Sequence, residues 1–426
     1  MREMKDSGVA WIGAVPSDFA ISSIGSLFTI KKDIAGREPE TVLSITQTGI
    51  RPKDLSSNEG QNASSYAHYQ IVNVGDFAMN HMDLLTGWID ISKYEGVTSP
   101  DYRVFTLNDK KMSADYFLRV FQYYYTNRVF FGFGQGVATL GRWRLPAINF
   151  KKIDVPVPPI SEQQRIVAAI DENVGKVDVL IENIQAQIEK LKAYKQSLII
   201  EAVTKGLDPT VPLKDSGVDW IAKMPEHWIC RPIKHFSKIH SGVLISKEEY
   251  IDNGKYPVIG ANGEIGRFDK KNNNNKVITT GRVGSIGTAH IVEEAWITDN
   301  ALILTVEGID ITYLAYTIPS LNFDLMSSTT AQPLVTASKL KQQIIPFPPF
   351  DEQTAIAGYL NKKCAQIDCL IALKQSKIEK LEQYKRSLIY EYVTGKREVS
   401  WRKKRKIQKR RISSRLLFQQ SCLVSM

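Results

Sequence analysis

The chain has 426 residues, of which 43% are hydrophobic and 23% charged, a globular composition that allows two or three domains. Its formal net charge is +10, but residues 397–426 contain ten Lys and Arg residues and one acid, so most of the excess lies there. A uniformly basic coat for nucleic acid is therefore not indicated. The four cysteines form no C-x-x-C pair and no apolar run approaches a membrane span, which predicts a cytoplasmic protein.

The chain opens on a leader that occurs twice. The first copy reads MKDSGVAWIGAVPSDF, and the second, shifted by 209 positions, reads LKDSGVDWIAKMPEHW. A further stretch begins at Pro156 and again at Pro346, each time as a proline-rich stop followed by a long apolar-periodic run. Leader, globular part and periodic run keep the same order, so the sequence predicts an internal duplication with halves of about 1–206 and 213–396.

Residues 20–155 have the pattern of a mixed α/β domain. The expected strands are 42–45, 71–74 and 102–105. One helix is expected from Ser113, as its cap, to Phe130. Asn80 and His81 follow the strand that comes after a Gly-Asp turn. They are candidate polar contacts from a loop, although a structural or solvated role is the commoner one for either residue alone.

A glycine-rich loop follows that helix and contains Arg142, Trp143 and Arg144. Two guanidinium groups in such a loop could recognise guanine edges or hold phosphates. A surface ion pair beside a packing tryptophan explains the same residues equally well. We keep Arg142 and Arg144 as candidate DNA contacts.

The periodic runs predict two long helices. Their apolar residues recur at alternating steps of four and three, which is a heptad seam. The seam residues are Ile170, Val177, Ile181, Ile184, Ile188 and Leu191 in the first run and Ile367, Ile371, Ile378 and Leu381 in the second. Ser161 and Asp351 are expected N-caps. Two helices of about 40 residues, each roughly 60 Å long, could bury each other's seams, although a purely structural hairpin or a dimerisation coil fits the same spacing.

The second globular part, residues 226–345, follows the same plan with a different sequence. Strands are expected at 276–280, 288–292 and 301–306 and a short helix at 311–318. Polar residues again fall in the predicted loops. The candidate DNA contacts here are Lys276, Arg282, Asn300, Thr330 and Gln332, with Arg282 at the place equivalent to Asn80 and His81.

The sequence lacks the motifs of several kinds of catalytic site. It has no Walker P-loop. Gly132, Gly134 and Gly136 follow a helix rather than a strand, which argues against a dinucleotide site. The Phe-Pro-Pro-Phe segment from Phe347 lacks the polar first residue of an amino-methyltransferase loop. The histidines and cysteines show no metal-ligand spacing, so a recognition function is favoured over an enzyme.

The leader D-S-G-V-x-W-I-x-x-x-P and the helix start P-x-P-P-[IF]-x-E-Q, each present twice, resemble the specificity subunit of type I restriction–modification systems. The resemblance covers residues 4–396 and includes the helix ends VTKG and VTGK. It implies an α+β fold in which two mixed α/β target-recognition domains are separated by two long antiparallel helices, a coiled-coil spacer with a pseudo-twofold internal repeat. The expected domains are 1–158, spacer helix 159–206, 207–348 and spacer helix 349–396, followed by a basic, disordered tail at 397–426.

The resemblance also implies what the chain does and with whom. It would bind double-stranded DNA at a bipartite site, hold two modification subunits, and reach the restriction subunits through the complex. It would carry no catalytic, cofactor or metal site, because S-adenosylmethionine, ATP and Mg belong to the partner subunits. The alternatives are a helical-hairpin scaffold without DNA specificity and a self-contained methyltransferase or nuclease.

Overall fold

The computed structural model describes residues 2–55, 63–136, 143–323 and 334–399. The chain divides into two compact units. Unit 1 is Met1–Glu182 together with Ile378–Met426, and unit 2 is Asn183–Lys377. No helix in the described part is long and apolar enough to cross a lipid bilayer.

Unit 1 contains twelve described strands and four described short helices. The strands are β1 (Met4–Asp6), β2 (Ala14–Pro16), β3 (Ala20–Ser23), β4 (Phe28–Lys31), β5 (Leu43–Thr46), β6 (Gly49–Pro52), β7 (Gln70–Val72), β8 (Phe77–Met79), β9 (Ile89–Ile91), β10 (Gly96–Thr98), β11 (Arg103–Leu107) and β12 (Asp154–Val157). The helices are α1 (Ile24–Leu27), α2 (Ala114–Thr126), α3 (Val129–Gly132) and α4 (Ala147–Lys152). The long helix α5 (Ile160–Lys205) starts in this unit.

Unit 2 repeats this order of elements. Its strands are β13 (Leu213–Asp215), β14 (Lys223–Pro225), β15 (Ile229–Pro232), β16 (Ser237–Ser241), β17 (Tyr256–Gly260), β18 (Gly263–Phe268), β19 (Val277–Gly281), β20 (Ala289–Val292), β21 (Trp296–Ile297), β22 (Ala301–Val306) and β23 (Ile344–Phe347). Its short helices are α6 (Ile311–Thr317) and α7 (Ala337–Lys341), and the long helix α8 (Phe350–Val393) starts here and ends in unit 1.

Each unit is built around a four-stranded antiparallel sheet with the same strand order, β4-β11-β8-β9 in unit 1 and β16-β22-β19-β20 in unit 2. The leader forms a hairpin in both, β1 with β2 and β13 with β14. The strand before each long helix pairs with the strand after the leader, β12 with β3 and β23 with β15. The predicted α+β fold with an internal repeat is therefore present in both halves.

The two long helices pack antiparallel within each unit. In unit 1, Asn173 bonds to Tyr392, and Lys385 bonds to Asp178. Residue numbers therefore rise along α5 in the direction in which they fall along α8. The predicted seam residues are buried or half-buried in both units: Ile170, Val177, Ile181, Ile184, Ile188, Leu191, Ile367, Ile371, Ile378 and Leu381. Burying a branched apolar side chain of this size stabilises by about 1.5–3 kcal/mol, so the seam contributes much of the helix pairing.

The helix-start motif is explained by a buried glutamine. Gln163 donates through Nε2 to the carbonyl of Pro158 (2.9 Å) and accepts from the backbone N–H of Ser113 (2.8 Å), the cap of α2. Gln353 bonds to Pro348 and Asp310 in the same way, each at 2.8 Å, and Asp310 caps α6. Each glutamine thus ties a long helix to the helix of its own domain.

The predicted caps of the long helices are wrong by two residues, because the residues just before the helices are Pro159 and Pro349. The helices begin at Ile160 and Phe350, so Ser161 and Asp351 lie inside the first turn. The carbonyl of Pro159 instead accepts from a donor of the first turn, Glu162 N at 2.8 Å, as well as from Gln163 N at 3.1 Å. The prolines fix the extended backbone that positions this carbonyl.

The helix expected at 113–130 also ends earlier. Ser113 caps it as predicted, but α2 ends at Thr126. Arg128 has φ of 59°, and this left-handed residue starts the separate turn α3. The break directs Phe130 into the core, where its side chain is buried.

Candidate nucleic-acid interface

Three of the candidate residues lie where the third strand of a sheet ends. Asn80 and His81 follow β8, and Arg282 follows β19. The carbonyl of His81 accepts from Leu145 N at 2.9 Å, and that of Arg282 accepts from Val335 N at 3.0 Å. His81 and Arg282 therefore occupy equivalent places in the two units, which the sequence pattern had indicated.

In unit 1 this strand end borders a cavity of about 560 Å³. Among the described residues its wall carries four basic side chains, and Asp101 is its acidic side chain. The basic residues are Lys31, Lys32, Arg103 and Arg144. Lys31 is paired with Asp76 at 2.7 Å, so its charge is offset within the protein.

Arg103 is the buried member of this set, at 4% exposure. Its Nη2 donates to the carbonyl of Leu145 at 2.8 Å, and the guanidinium lies 4.6 Å from the centre of the Phe150 ring. Its Nη1 is buried and has no hydrogen-bond partner among the described residues. Burial lowers the pKa of Arg103 to about 10, which still leaves the group charged at neutral pH.

His81 shares the cavity and is neutral at physiological pH. Burial first, and then the charges of Arg103 and Arg144, lower the pKa of His81 to about 3. Its Nδ1 is also buried without a partner among the described residues. The cavity wall therefore combines fixed positive charge with one uncharged imidazole.

The other candidates of unit 1 have distinct surroundings. Asn80 is used in its own turn, where Oδ1 accepts from Met82 N at 3.2 Å. Arg144 is exposed, and its backbone pairs with Gln135 to close the base of the glycine-rich loop. Trp143 is a packing residue, since its Nε1 donates to Phe131 O at 2.8 Å and its ring stacks on Phe131. Arg142 lies outside the described residues.

Trp143 also explains a glycine of the G-x-G-x-G segment. A Cβ at Gly134 would lie 2.3 Å from Nε1 of Trp143. Only glycine allows the indole to approach the backbone so closely. The segment is therefore a packing feature rather than a phosphate-binding loop.

In unit 2 the strand end is built differently. Arg282 donates from Nη1 to Ser241 Oγ at 3.3 Å and from its backbone to Asn300 O at 2.9 Å. Arg282 Nε, Thr298 Oγ1 and Asp299 Oδ1 are buried without partners among the described residues. Buried polar atoms without partners among the described residues thus lie at the same place in both units, where a ligand could supply the hydrogen bonds.

The structure separates the remaining candidates of unit 2. Lys276 is exposed and precedes β19, whereas Arg282 follows it, so the two lie at opposite ends of a five-residue strand. Asn300 is exposed beside Arg282. Thr330 and Gln332 lie outside the described residues.

Sequence reasoning missed Arg103 and Ser241. Arg103 did leave a signal, because it is a charged residue inside a predicted apolar strand, Tyr-Arg-Val-Phe. Ser241 left none, since only the pairing of β16 with β22 brings it beside Arg282.

The long helices carry a second surface that the duplication repeats. Leu180 and Tyr194 on α5, and Leu370 and Tyr384 on α8, are 48–57% exposed. Leu180 and Leu370 directly precede the seam residues Ile181 and Ile371, and the two tyrosines precede the lysines that occupy later seam positions, Lys195 and Lys385. In unit 1 the bond between Lys385 and Asp178 sets the register of the two helices, and it places Leu180 at the same height as Tyr384. In unit 2 the bond between Lys195 and Asp368 does the same, and it places Leu370 at the same height as Tyr194. We call these pairs the unit 1 and unit 2 apolar patches.

Residues 16–190 and 225–383, together well over half of the chain, match the family model "Type I restriction modification DNA specificity domain". The putative type I restriction enzyme MjaX specificity subunit of Methanocaldococcus jannaschii is 22% identical over 90% of this chain and 95% of its own length. The MjaVIII specificity subunit of the same organism is 27% identical over 58% of this chain and 63% of its own length.

A solved structure, from work on complex assembly and conformational transition of the type I R-M system, contains a chain with the same fold. It is superposed with a TM-score of 0.67 at 14% identity, covering 89% of this chain and 98% of that one. The two matched regions fall on the two units, each with its α/β domain and part of a long helix. The chain belongs to the family of type I restriction–modification DNA specificity proteins.

Proposed function

We propose that this chain is the subunit that gives a type I restriction–modification complex its bipartite DNA target. One half-site is recognised by the domain at 1–158 and the other by the domain at 207–348, with 159–206 and 349–396 as spacer helices. One observation carries this proposal: equivalent strand ends present unlike groups, His81 beside Arg103 in unit 1 and Arg282 beside Asn300 in unit 2.

Unlike groups at equivalent places are what recognition of two different half-sites requires. The major groove presents a distinct pattern of donors and acceptors for each base pair, so different side chains select different bases. Contacts to phosphates position the protein and make binding depend on salt. The candidate contacts Asn80, His81, Arg142, Arg144, Lys276, Arg282, Asn300, Thr330 and Gln332 remain predictions.

Selection of bound duplexes from a random pool tests this function. We expect an asymmetric motif of two half-sites with an unspecified spacer. Replacing residues 20–155 by the corresponding part of another family member should change one half-site and leave the other. Recovery of duplexes without any shared sequence would favour the helical-hairpin scaffold instead.

We further propose that the chain holds two modification subunits, and through the complex contacts the restriction subunits. The unit 1 and unit 2 apolar patches support two equivalent partners, because duplicated surfaces bind copies of the same protein. Replacing Leu180 and Tyr384 by Asp should leave one modification subunit bound, as should replacing Leu370 and Tyr194. Native mass spectrometry of the complex measures this; two subunits bound to either variant would contradict the assignment.

Catalysis is proposed to reside in those partners, which would hold S-adenosylmethionine, ATP and Mg, in the cytoplasm. The chain by itself should then transfer no labelled methyl group to a duplex containing its target, and should not cut it. Either activity in the purified chain, retained through a second chromatographic step, would favour a self-contained enzyme.

A further inference from the structure

The cavity of unit 1 has a charge that its own residues do not balance. Asp76 offsets Lys31, which leaves Lys32, Arg103 and Arg144 against Asp101. Lys32 and Arg144 are exposed, whereas Arg103 is 96% buried, since its exposure is 4%. The described wall therefore holds about two uncompensated positive charges.

The environment of Arg103 supports an anion site independently of the net charge of the cavity wall. A buried guanidinium nitrogen without an acceptor destabilises the folded protein, and the cost is larger because the group is charged. Arg103 is nonetheless fixed in place by the carbonyl of Leu145 and the ring of Phe150. No described residue accepts a hydrogen bond from Nη1, so a charged donor held in this way is suited to an anionic acceptor supplied from outside.

Among the described residues the equivalent place in unit 2 is arranged differently, although Arg282 Nε is also buried there without a partner. Arg103 pairs with Met79 at the end of β8, and the residue that pairs with Gly281 at the end of β19 is Ala301. Arg282 there uses its Nη1 on Ser241 and on the carbonyl of Asp299. The buried, charged arginine on the neighbouring strand is therefore a feature of unit 1, since unit 2 has Ala301 at the equivalent place.

We propose that this cavity is a phosphate subsite, which takes a phosphodiester group of the DNA backbone with Arg103 as buried anchor and Arg144 and Lys32 at its mouth. The inference rests on the proposed function and names the chemistry by which unit 1 is positioned on the duplex. His81 lies in the same wall and is uncharged, so the positive charge of the subsite comes from Lys32, Arg103 and Arg144.

The test uses the full chain and a duplex recovered by selection. Each phosphate near the first half-site is replaced in turn by a neutral methylphosphonate. At one position the wild type should lose about tenfold in affinity, whereas Arg144→Ala, which keeps the Arg103 anchor but lacks one of the charges at the mouth, should lose less. The double variant of Arg144→Ala with Lys32→Ala should lower the slope of log Kd against log salt by at most about 0.9, the contribution of one phosphate, with each single variant between it and the wild type and the preferred sequence unchanged.

Lys110→Ala is the matched control, because it removes one exposed charge beyond the other end of β11. It should retain the methylphosphonate effect in full. Thermal unfolding in inorganic phosphate against chloride at equal ionic strength separates two sources of the anion. The proposal would be overturned if inorganic phosphate stabilised the protein but no methylphosphonate position distinguished the wild type from Arg144→Ala. The cavity would then bind a free ion and not a phosphate of DNA.

Two other results would also overturn it. A changed base preference with an unchanged salt slope in Arg144→Ala would mean that this residue contacts a base edge. Equal affinity and slope in all variants would mean that the cavity is not used. Failure of the wild type to select any sequence would instead remove the proposed function, so the two failures are distinguishable.

Discussion

The two units agree where the long helices begin and end, and differ where the sheets end in loops. In unit 1, Tyr116 donates its hydroxyl to the carbonyls of Pro156 and Val393; in unit 2, Tyr313 donates to those of Pro346 and Val203. Each tyrosine joins its domain to the start of one long helix and the end of the other. The loops beyond β8 and β19 share one backbone bond, from Leu145 N to His81 O and from Val335 N to Arg282 O, but they present unlike side chains. The two units therefore share the contacts that join each domain to the long helices, which we call the framework, and differ in the loops that carry the candidate recognition residues.

The cores of the two domains differ as well. The core of unit 1 centres on Phe28, whose ring lies 5.4 Å from that of Phe77, 5.5 Å from that of Phe105 and 5.4 Å from that of Phe117. In unit 2 the corresponding strands contribute aliphatic residues such as Ile239, Ile278 and Leu304. The same strand order is thus compatible with two different packings, because total volume and patterning matter more than identity.

The largest expected effect is a difference in stability loss when the glycine at the end of each long helix is replaced. Gly395 and Gly206 both have positive φ, but a Cβ at Gly395 would lie 2.5 Å from Pro16 and one at Gly206 lies 3.1 Å from Trp228. Gly395→Ala should destabilise by about 2–4 kcal/mol, through backbone strain and overpacking together. Gly206→Ala should cost about half as much. Denaturant unfolding measures both, and equal losses would show that the leader of unit 1 can move aside.

The tyrosines should behave alike in the two units. Tyr116→Phe or Tyr313→Phe removes a buried hydroxyl that bonds to two carbonyls, so each should cost about 1–3 kcal/mol. Tyr123→Phe, which changes a half-buried tyrosine of α2, is the control and should cost less. A large difference between the first two variants would mean that the framework is not equivalent.

The acid sensitivity of unit 1 should depend on His81. Its pKa is about 3 in the folded protein against about 6.5 in the unfolded chain. Below pH 6.5 the unfolded chain therefore binds a proton that the folded protein does not, and stability falls as pH falls, by less than ~1.4 kcal/mol per unit. His81→Gln should flatten the dependence of melting temperature on pH between 6.5 and 4.5. His68→Gln, at an exposed site, should leave it unchanged.

The smallest effect concerns two matched ion pairs on the helix seam. Lys385 bonds to Asp178 at 2.6 Å in unit 1, and Lys195 to Asp368 at 2.7 Å in unit 2. Both are partly exposed, so each should contribute at most about 1 kcal/mol. Exchanging the residues of one pair, Asp178→Lys with Lys385→Asp, should restore what either single change loses. Absence of that recovery in a double-mutant cycle would exclude the pair as a determinant of helix register.

The tail differs from the expectation at its start. Residues 397–399 are described and lie on unit 1, where Arg397 pairs with Glu391 at 3.3 Å and Val399 packs against the core. Removal of all residues after Lys396 would take these contacts away. Removal after Val399 is therefore the cleaner test of whether the basic segment affects target choice, and we expect no effect.

The sequence by itself determined the duplication, the two long helices and their seams, because a repeat and a heptad period are local patterns in the chain. It also indicated that His81 and Arg282 end equivalent strands. Only the tertiary structure decided which polar groups meet at those ends. Arg103 comes from a strand distant in sequence from His81 and Arg144, and the pairing of β11 with β8 brings it beside His81. Contacts of this kind depend on long-range pairing, which no local pattern of residues specifies.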